Sequence, residues 1–409
     1  MRLLHTSDWH LGQTLHGQER DYEHGCFLHW LLEQLEQQQV DALLIAGDVF
    51  DSVNPPLQAQ ERLYEFILSA HQRLPHLHIL MIAGNHDSGA RIELPAPLMK
   101  RLNTHAVGRF HWQDGQPDAD RLLVPLPNAQ GEVMAWCLAL PFLRASEISG
   151  MGAGGDYLSA VQQLQQQLLA AAEARRAPGQ ALLAVSHAHL AGGSISEDSE
   201  RSLVIGSAEA LPASLFPDSL SYVALGHLHK PQRVAGQERL RYSGSPLPLS
   251  FAEVNYPHQV LLVSLEDAQL QQVEALPVPR AVAMQRLGPA SLSAILQQIK
   301  ALAIHEGPRE TQPWLEVRVQ LDEPNPSLRS SLEEALHGKG YRLIRISSEY
   351  RQAPESSPPE ALPDLEQIAP QALFSRAWTE RFGQAPTEAV LADFALLLER
   401  VEQRGESDT

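Results

Sequence analysis

Five clusters of Asp, Asn and His residues each stand directly behind a short apolar run in this sequence. Residues 2–6 run into Ser7-Asp8-Trp9-His10, and residues 42–46 into Gly47-Asp48-Val49-Phe50-Asp51. Residues 77–83 run into Gly84-Asn85-His86-Asp87, residues 181–185 into Ser186-His187, and residues 222–225 into Gly226-His227-Leu228-His229. Carboxylate, imidazole and amide oxygen together suit divalent metals such as manganese, and a carboxylate can bridge two of them. Two such ions about 3.5–4 Å apart clamp a phosphoryl group, acidify a shared water and steady the leaving oxygen. That chemistry needs neither cysteine nor lysine, and the five clusters supply little else.

The clusters differ in weight. Asp8-x-His10 and Gly47-Asp48 recur by chance in many chains. Gly84-Asn85-His86-Asp87 says more, because three polar side chains behind a buried strand are costly unless used. Gly226-His227-x-His229 is comparable, its glycine permitting close backbone approach.

These residues need a scaffold that brings them together. Continuous apolar runs of this length read as strands buried on both faces. Amphipathic helical segments near 23–38 and 57–73 separate the first three, which is the rhythm of a parallel sheet. Open α/β sheets collect their ligands outside the carboxyl ends of strands, where all five clusters fall. They therefore form one site. A Gln- and Ala-rich helix is expected over 159–176. Strands around 259–265 and 270–276 are expected to finish a second sheet packed on the first. Beyond residue 278 a strand at 314–321, a helix at 326–337 and a strand at 341–347 suggest a small α+β domain. Residues 354–363, rich in Pro, Ser and Glu, read as a linker.

In order, D-x-H, G-D, G-N-H-D, H and G-H-x-H resemble the series of the calcineurin-like metallophosphoesterases over about the first 250 residues. The longer strings at 4–12, 46–51, 83–88, 224–229 and 242–251 are similar to those of the SbcD-type nuclease branch, which repairs double-strand breaks. The resemblance implies a four-layer α/β/β/α sandwich over 1–277 and a small α+β capping domain over 278–353. After the linker it implies C-terminal helices over 364–409. It also implies roles. Asp8, His10 and His229 would hold one metal; Asn85, His187 and His227 would hold the other, with Asp48 bridging. The ions would be two divalent cations, Mn2+ first and Mg2+ second. His86 would face the scissile phosphate, and Asp87 would orient His86 by taking its other ring proton. Either His187 or His189 could be the ligand; His187 comes first after the apolar run. Asp51 stands where some archaeal relatives carry a histidine.

The implied activity is metal-dependent hydrolysis of DNA ends and hairpins, with 3'-5' exonuclease and single-strand endonuclease action. A nucleotide or small-molecule phosphodiesterase on the same fold is the alternative. The implied partner is an SbcC-type, SMC-like ATPase gripping the helices near 371–382 and 386–404, within a heterotetramer containing a homodimer of this chain. Those helices carry Leu373, Phe374, Trp378, Phe382, Val390, Phe394, Leu397, Leu398 and Val401 at helical spacing, more apolar surface than a helix pair can bury alone.

A net charge of −18 argues against a protein that coats DNA unaided, but bound cations would add positive charge where a phosphate sits. Residues 88–112 hold Arg91, Lys100, Arg101 and Arg109 against Glu93, either a local DNA-facing surface or a solvated helix and loop. Cys26 and Cys137 are the two cysteines of the chain, too few and too far apart for a disulfide framework or a thiolate zinc site. With no apolar run of about 18 residues and no basic leader, the expectation is a cytoplasmic protein off the membrane. His5 reads as a satisfied core histidine, and Trp9, Trp30, Trp136 and Trp314 as core or site-wall residues.

Overall fold

The computed structural model describes residues 1–113, 116–144, 147, 157–194, 210–350 and 370–407. Along the chain come β1 (Arg2–Thr6), α1 (Asp21–Gln37), β2 (Ala42–Ala46), α2 (Leu57–Arg73), β3 (His78–Ile82) and β4 (Thr104–Val107). Next are β5 (Leu123–Pro127), β6 (Val133–Leu140), α3 (Tyr157–Arg175), β7 (Ala181–His187) and β8 (Tyr222–Gly226). Strands β9 (Gln232–Val234), β10 (Gln237–Tyr242), β11 (Gln259–Glu266) and β12 (Gln269–Pro277) follow. A smaller unit holds β13 (Met284–Ser291), α4 (Leu292–Ala301), β14 (Trp314–Leu321), α5 (Leu328–Leu336) and β15 (Arg342–Tyr350). Helices α6 (Pro370–Phe382) and α7 (Glu388–Ser407) come last.

The first sheet has the order β12-β11-β1-β2-β3-β4, with β1 to β4 mutually parallel. Helices α1 and α2 cover its outer face with Phe27, Leu31, Leu35, Leu63, Phe66 and Ile67. These positions recur at three- and four-residue spacing, the apolar stripe of a surface helix. No side-chain cap bonds the start of α1, so burial decides its place. Each buried Phe or Leu contributes roughly 1.5–3 kcal/mol, against about 1 kcal/mol for a cap. The second sheet has the order β9-β10-β8-β7-β6-β5. Its inner face packs on the first sheet, and its outer face takes Leu164, Leu168 and Ala172 of α3. Four layers result: helices, sheet, sheet, helix.

One expectation fails here. Residues 259–266 and 269–277 do not finish the second sheet; β11 pairs antiparallel with β1, Leu3 opposite Val263, and β12 lies outside it. The chain returns to the first sheet because β1 otherwise presents an unpaired edge, a long-range demand that no local pattern encodes.

In the smaller unit β13, β14 and β15 are all parallel, with α4 and α5 burying Ile295, Ile299 and Leu332 against Leu315 and Val317. Strand β13 and helix α4 were not expected from the sequence. Trp314 ties this unit to the large one. It is buried with Leu15, Phe251, Val282 and Met284, and the guanidinium groups of Arg20 and Arg342 lie 5.8 and 5.5 Å from its ring. Such cation–π contacts are worth most when desolvated, and Arg20 is buried, paired to Glu23 at 2.8 Å.

The expected linker at 354–363 lies outside the described residues. Helices α6 and α7 pack on each other through Phe374 and Phe394, stacked at 4.0 Å. Among the described residues, the buried apolar clusters draw no side chain from either helix, and Leu373, Phe382 and Leu397 are exposed. Among the described residues, no helix is long and apolar enough to cross a membrane.

Candidate metal centre

All five clusters meet where the carboxyl ends of β1, β2 and β3 face those of β7 and β8. The backbone there is strained. Asp8, His10, Asp48 and His227 have φ of 54°, 47°, 48° and 105°, a region costing L-residues about 1–3 kcal/mol each and tolerated mainly at functional sites. Hydrogen bonds hold the strain. Asp8 N–H donates to the Gly47 carbonyl at 3.0 Å and His10 N–H to the Asp48 carbonyl at 3.1 Å. Glycine makes room: a Cβ on Gly84 would lie 2.1 Å from Asp48 Oδ1, and one on Gly226 would lie 1.9 Å from the Ala46 carbonyl oxygen.

Ligand atoms of Asp8, His10 and His229 lie within 4.8 Å of one another, as do those of Asp8, Asp48 and His187, and of His10, Asp48 and His86. The amide oxygen of Asn85 sits 3.0 Å from His187 Nε2 and 3.1 Å from His227 Nδ1. Asp48 Oδ2 stands between the groups, 3.6 Å from His10 Nε2 and 3.4 Å from His187 Nε2. The seven residues singled out as ligands are thus brought together. Of the two candidate histidines, His187 faces Asp48 and Asn85, whereas His189 lies beside His227, ring centroids 6.0 Å apart.

The set fits divalent cations. His10 Nε2 is buried and meets no hydrogen-bond partner among the described residues, and a buried orphan nitrogen is costly unless something else occupies it. The other ring nitrogens are already committed. His229 Nδ1–H donates to Glu253 at 2.8 Å, His10 Nδ1–H to Asp51 at 3.0 Å and His187 Nδ1–H to the Ala46 carbonyl at 2.8 Å. Each bond fixes the tautomer that turns Nε2 inward, the arrangement of metal-binding histidines. Sequence reasoning missed Glu253 and gave Asp51 no such task. Their contacts span 24 and 41 residues, and no spacing rule relates them.

Charge in the site is divided unevenly. Burial opposes ionisation of His187, but the Asp48 carboxylate overrides it and raises the imidazole pKa to about 9. Burial likewise opposes the Asp48 charge, yet His187 and His86 hold its carboxyl well below the usual range. Burial, reinforced by His187, pushes His227 well below the ordinary histidine value.

His86 N–H donates to Asp48 Oδ1 at 2.9 Å, and its Nδ1–H donates to the Asp51 carbonyl at 2.9 Å. The expectation that Asp87 takes the His86 ring proton is therefore corrected. Asp87 is fully buried and accepts three backbone N–H groups instead, from Val49, Phe50 and Gly84 at 3.1, 2.9 and 2.8 Å. It ties the Asp48 loop to the Asn85 loop, because those unpaired amides leave a buried carboxylate no cheaper partner. His5 is the satisfied core residue expected, bonded to the Tyr222 hydroxyl at 2.9 Å and the Leu225 carbonyl at 3.2 Å. In the basic stretch, Glu93 engages Arg109 and His111.

Residues 1–231 match the family described as calcineurin-like phosphoesterase, and the chain belongs to that family. Residues 280–382 match the type 5 capsule protein repressor C-terminal domain. The chain is 40% identical to the SbcD component of nuclease SbcCD from Rhodobacter capsulatus, over 92% of its length and 94% of that protein's. It is 34% identical to the Escherichia coli K12 counterpart over 86% of each chain. With the Bacillus subtilis counterpart it shares 36% identity over 67% of this chain and 69% of the other. Within the phosphoesterases it is a member of the SbcD family.

Proposed function

We infer that this chain is the metal-dependent nuclease subunit of an SbcCD-type complex, hydrolysing phosphodiester bonds of DNA. The observation that carries this reading is the Asp48 carboxylate between His10 and His187, with the buried His10 Nε2 left open beside it. Asp8, His10 and His229 would hold one divalent cation, Asn85, His187 and His227 a second, and Asp48 would touch both. Manganese suits this mixed carboxylate and imidazole set, and magnesium is the second choice. Bound cations supply Lewis acidity and an activated water.

The residues of the chain do the rest. Asp51 and Glu253 orient His10 and His229, and Asp87 keeps the two ligand loops in register. The Nδ1–H bond of His86 to the Asp51 carbonyl leaves Nε2 as the ring nitrogen free to meet a phosphate. A phosphodiester there would favour the protonated imidazole, which would donate to the phosphate or the leaving oxygen. No nucleophilic side chain is needed, so no covalent enzyme intermediate forms.

Residues 1–277 would be the nuclease domain and 278–353 a cap, held by Trp314 and followed by a linker over 354–363. The exposed apolar residues of α6 and α7, within 364–409, support docking on an SbcC-type ATPase, with two copies of this chain in a heterotetramer. Double-stranded ends and hairpins in the cytoplasm would be the substrates, cut by 3'-5' exonuclease and single-strand endonuclease action. Cleavage of end-labelled hairpin DNA with manganese tests this. The reading expects cutting that disappears in His86→Ala. Activity on a small diester alone, unrescued by the ATPase partner, would instead indicate a phosphodiesterase.

A further inference from the structure

A second cavity opens beside the metal centre, and none of the assignments above uses it. It lies between α3 and the ends of β6 and β7. His187 and Ser186 are among its lining residues, so it borders the site that would take the phosphate. Phe142, Tyr157 and Phe216 form aromatic walls, and Leu164 lies among them. Gln165 of α3 also lines it. That side chain is 5% exposed, and its Nε2 meets no hydrogen-bond partner among the described residues. Buried amides are nearly always paired. An unpaired amide in a mainly apolar, aromatic-walled cavity therefore points to a ligand with flat apolar faces and a polar edge.

We propose that this cavity receives one nucleobase of the substrate strand, unstacked beside the scissile phosphate and bonded at its edge by the Gln165 amide. The inference rests on the reading of the metal centre as a nuclease. A base is tethered to the phosphate it flanks, so a pocket starting at His187 is within its reach. Aromatic side chains stack on any base because every base has a π-face, and a single amide contact adds little sequence preference. Bases that are already unpaired, at a hairpin loop or a frayed end, enter at least cost. The cavity would thus favour DNA whose strands are already separated.

The test uses the full chain with manganese and its ATPase partner on hairpin DNA, with an abasic nucleotide placed in turn at each position flanking the cut. The proposal expects one position where removing the base lowers kcat/KM about 5- to 150-fold, the range of base–aromatic stacking. In Gln165→Leu the ratio between base-carrying and abasic DNA should shrink. Abasic substitution without effect at every position would overturn the proposal while leaving the nuclease reading intact. A penalty at one position that Gln165→Leu leaves unchanged would also overturn it, by removing this cavity as the cause. Failure of the unmodified protein to cut any DNA would refute the underlying reading instead.

Discussion

Glu253 accepts the Nδ1 proton of His229 at 2.8 Å from a fully buried position, while its other oxygen accepts the Leu249 N–H at 2.7 Å. The carboxylate thereby fixes which nitrogen His229 turns toward the candidate metal site. Asp51 does the same for His10 from an adjacent loop. The two histidines sit with ring centroids 5.5 Å apart, so these two carboxylates together orient one half of the site.

Loss of such a partner weakens metal binding more than it weakens the fold. Glu253→Gln should lower affinity for manganese about 10- to 100-fold, read by isothermal titration calorimetry of the metal-stripped chain. Glu253→Ala should add a loss of roughly 1–3 kcal/mol in stability, because the Leu249 N–H is left unpaired. Unchanged affinity in both variants would show that His229 needs no such support.

Metal loading should expel a proton. In the metal-free site the Asp48 carboxylate holds His187 protonated up to about 9, and a ligand imidazole must be neutral. Calorimetry in buffers of different ionisation enthalpy should therefore detect proton release near pH ~7.5, well below that value. Apparent affinity should fall about tenfold for each pH unit below about 9, since one proton competes. In Asp48→Asn the release should vanish.

Close approach at two glycines should make the site intolerant of a single methyl group. A Cβ on Gly47, whose φ is +89°, would lie 2.3 Å from His187 Nδ1, and one on Gly84 would lie 2.1 Å from Asp48 Oδ1. Gly84→Ala should lower cleavage by at least about 100-fold, the scale of misplacing reacting groups by about 1 Å. Metal content after gel filtration should fall with it.

Much of this site was legible in the sequence, and the reason is physical. Polar side chains directly behind a buried strand are costly, so Asn85, His86, Asp87 and His227 stood out by position, whereas Asp8, Asp48 and His187 gained weight only from the ordered series of five clusters and its family resemblance. Strand β1 and helix α2 carry their apolar pattern to the residue. The contacts that orient the ligands were not legible, because Glu253 and Asp51 reach their histidines across folded chain. Sheet membership failed at β11 for the same reason: an apolar run shows that a strand exists and not which edge it joins. Strand β13 hid behind Gly288 and Pro289, residues that ordinarily argue against a strand.

Acid should unfold the chain partly through His5. Burial lowers its pKa from 6.5 to about 3, so the folded state holds it neutral while the unfolded chain binds a proton below 6.5. Its contribution is fully present above pH 6.5 and is lost as pH falls through the window from 6.5 to about 3. The stability difference between wild type and His5→Gln, from urea denaturation with chelator present, should shrink by about 1.4 kcal/mol per pH unit in that window. A constant difference would mean that His5 is protonated in the fold.

Seven side chains at five strand ends would hold two cations around one shared carboxylate. Anomalous diffraction at the manganese edge, from crystals of the full chain grown with manganese, tests it most directly. Two peaks are expected, one among Asp8, His10 and His229 and one among Asn85, His187 and His227, both in contact with Asp48. A single peak, or a cation ligated by His86, would contradict this arrangement.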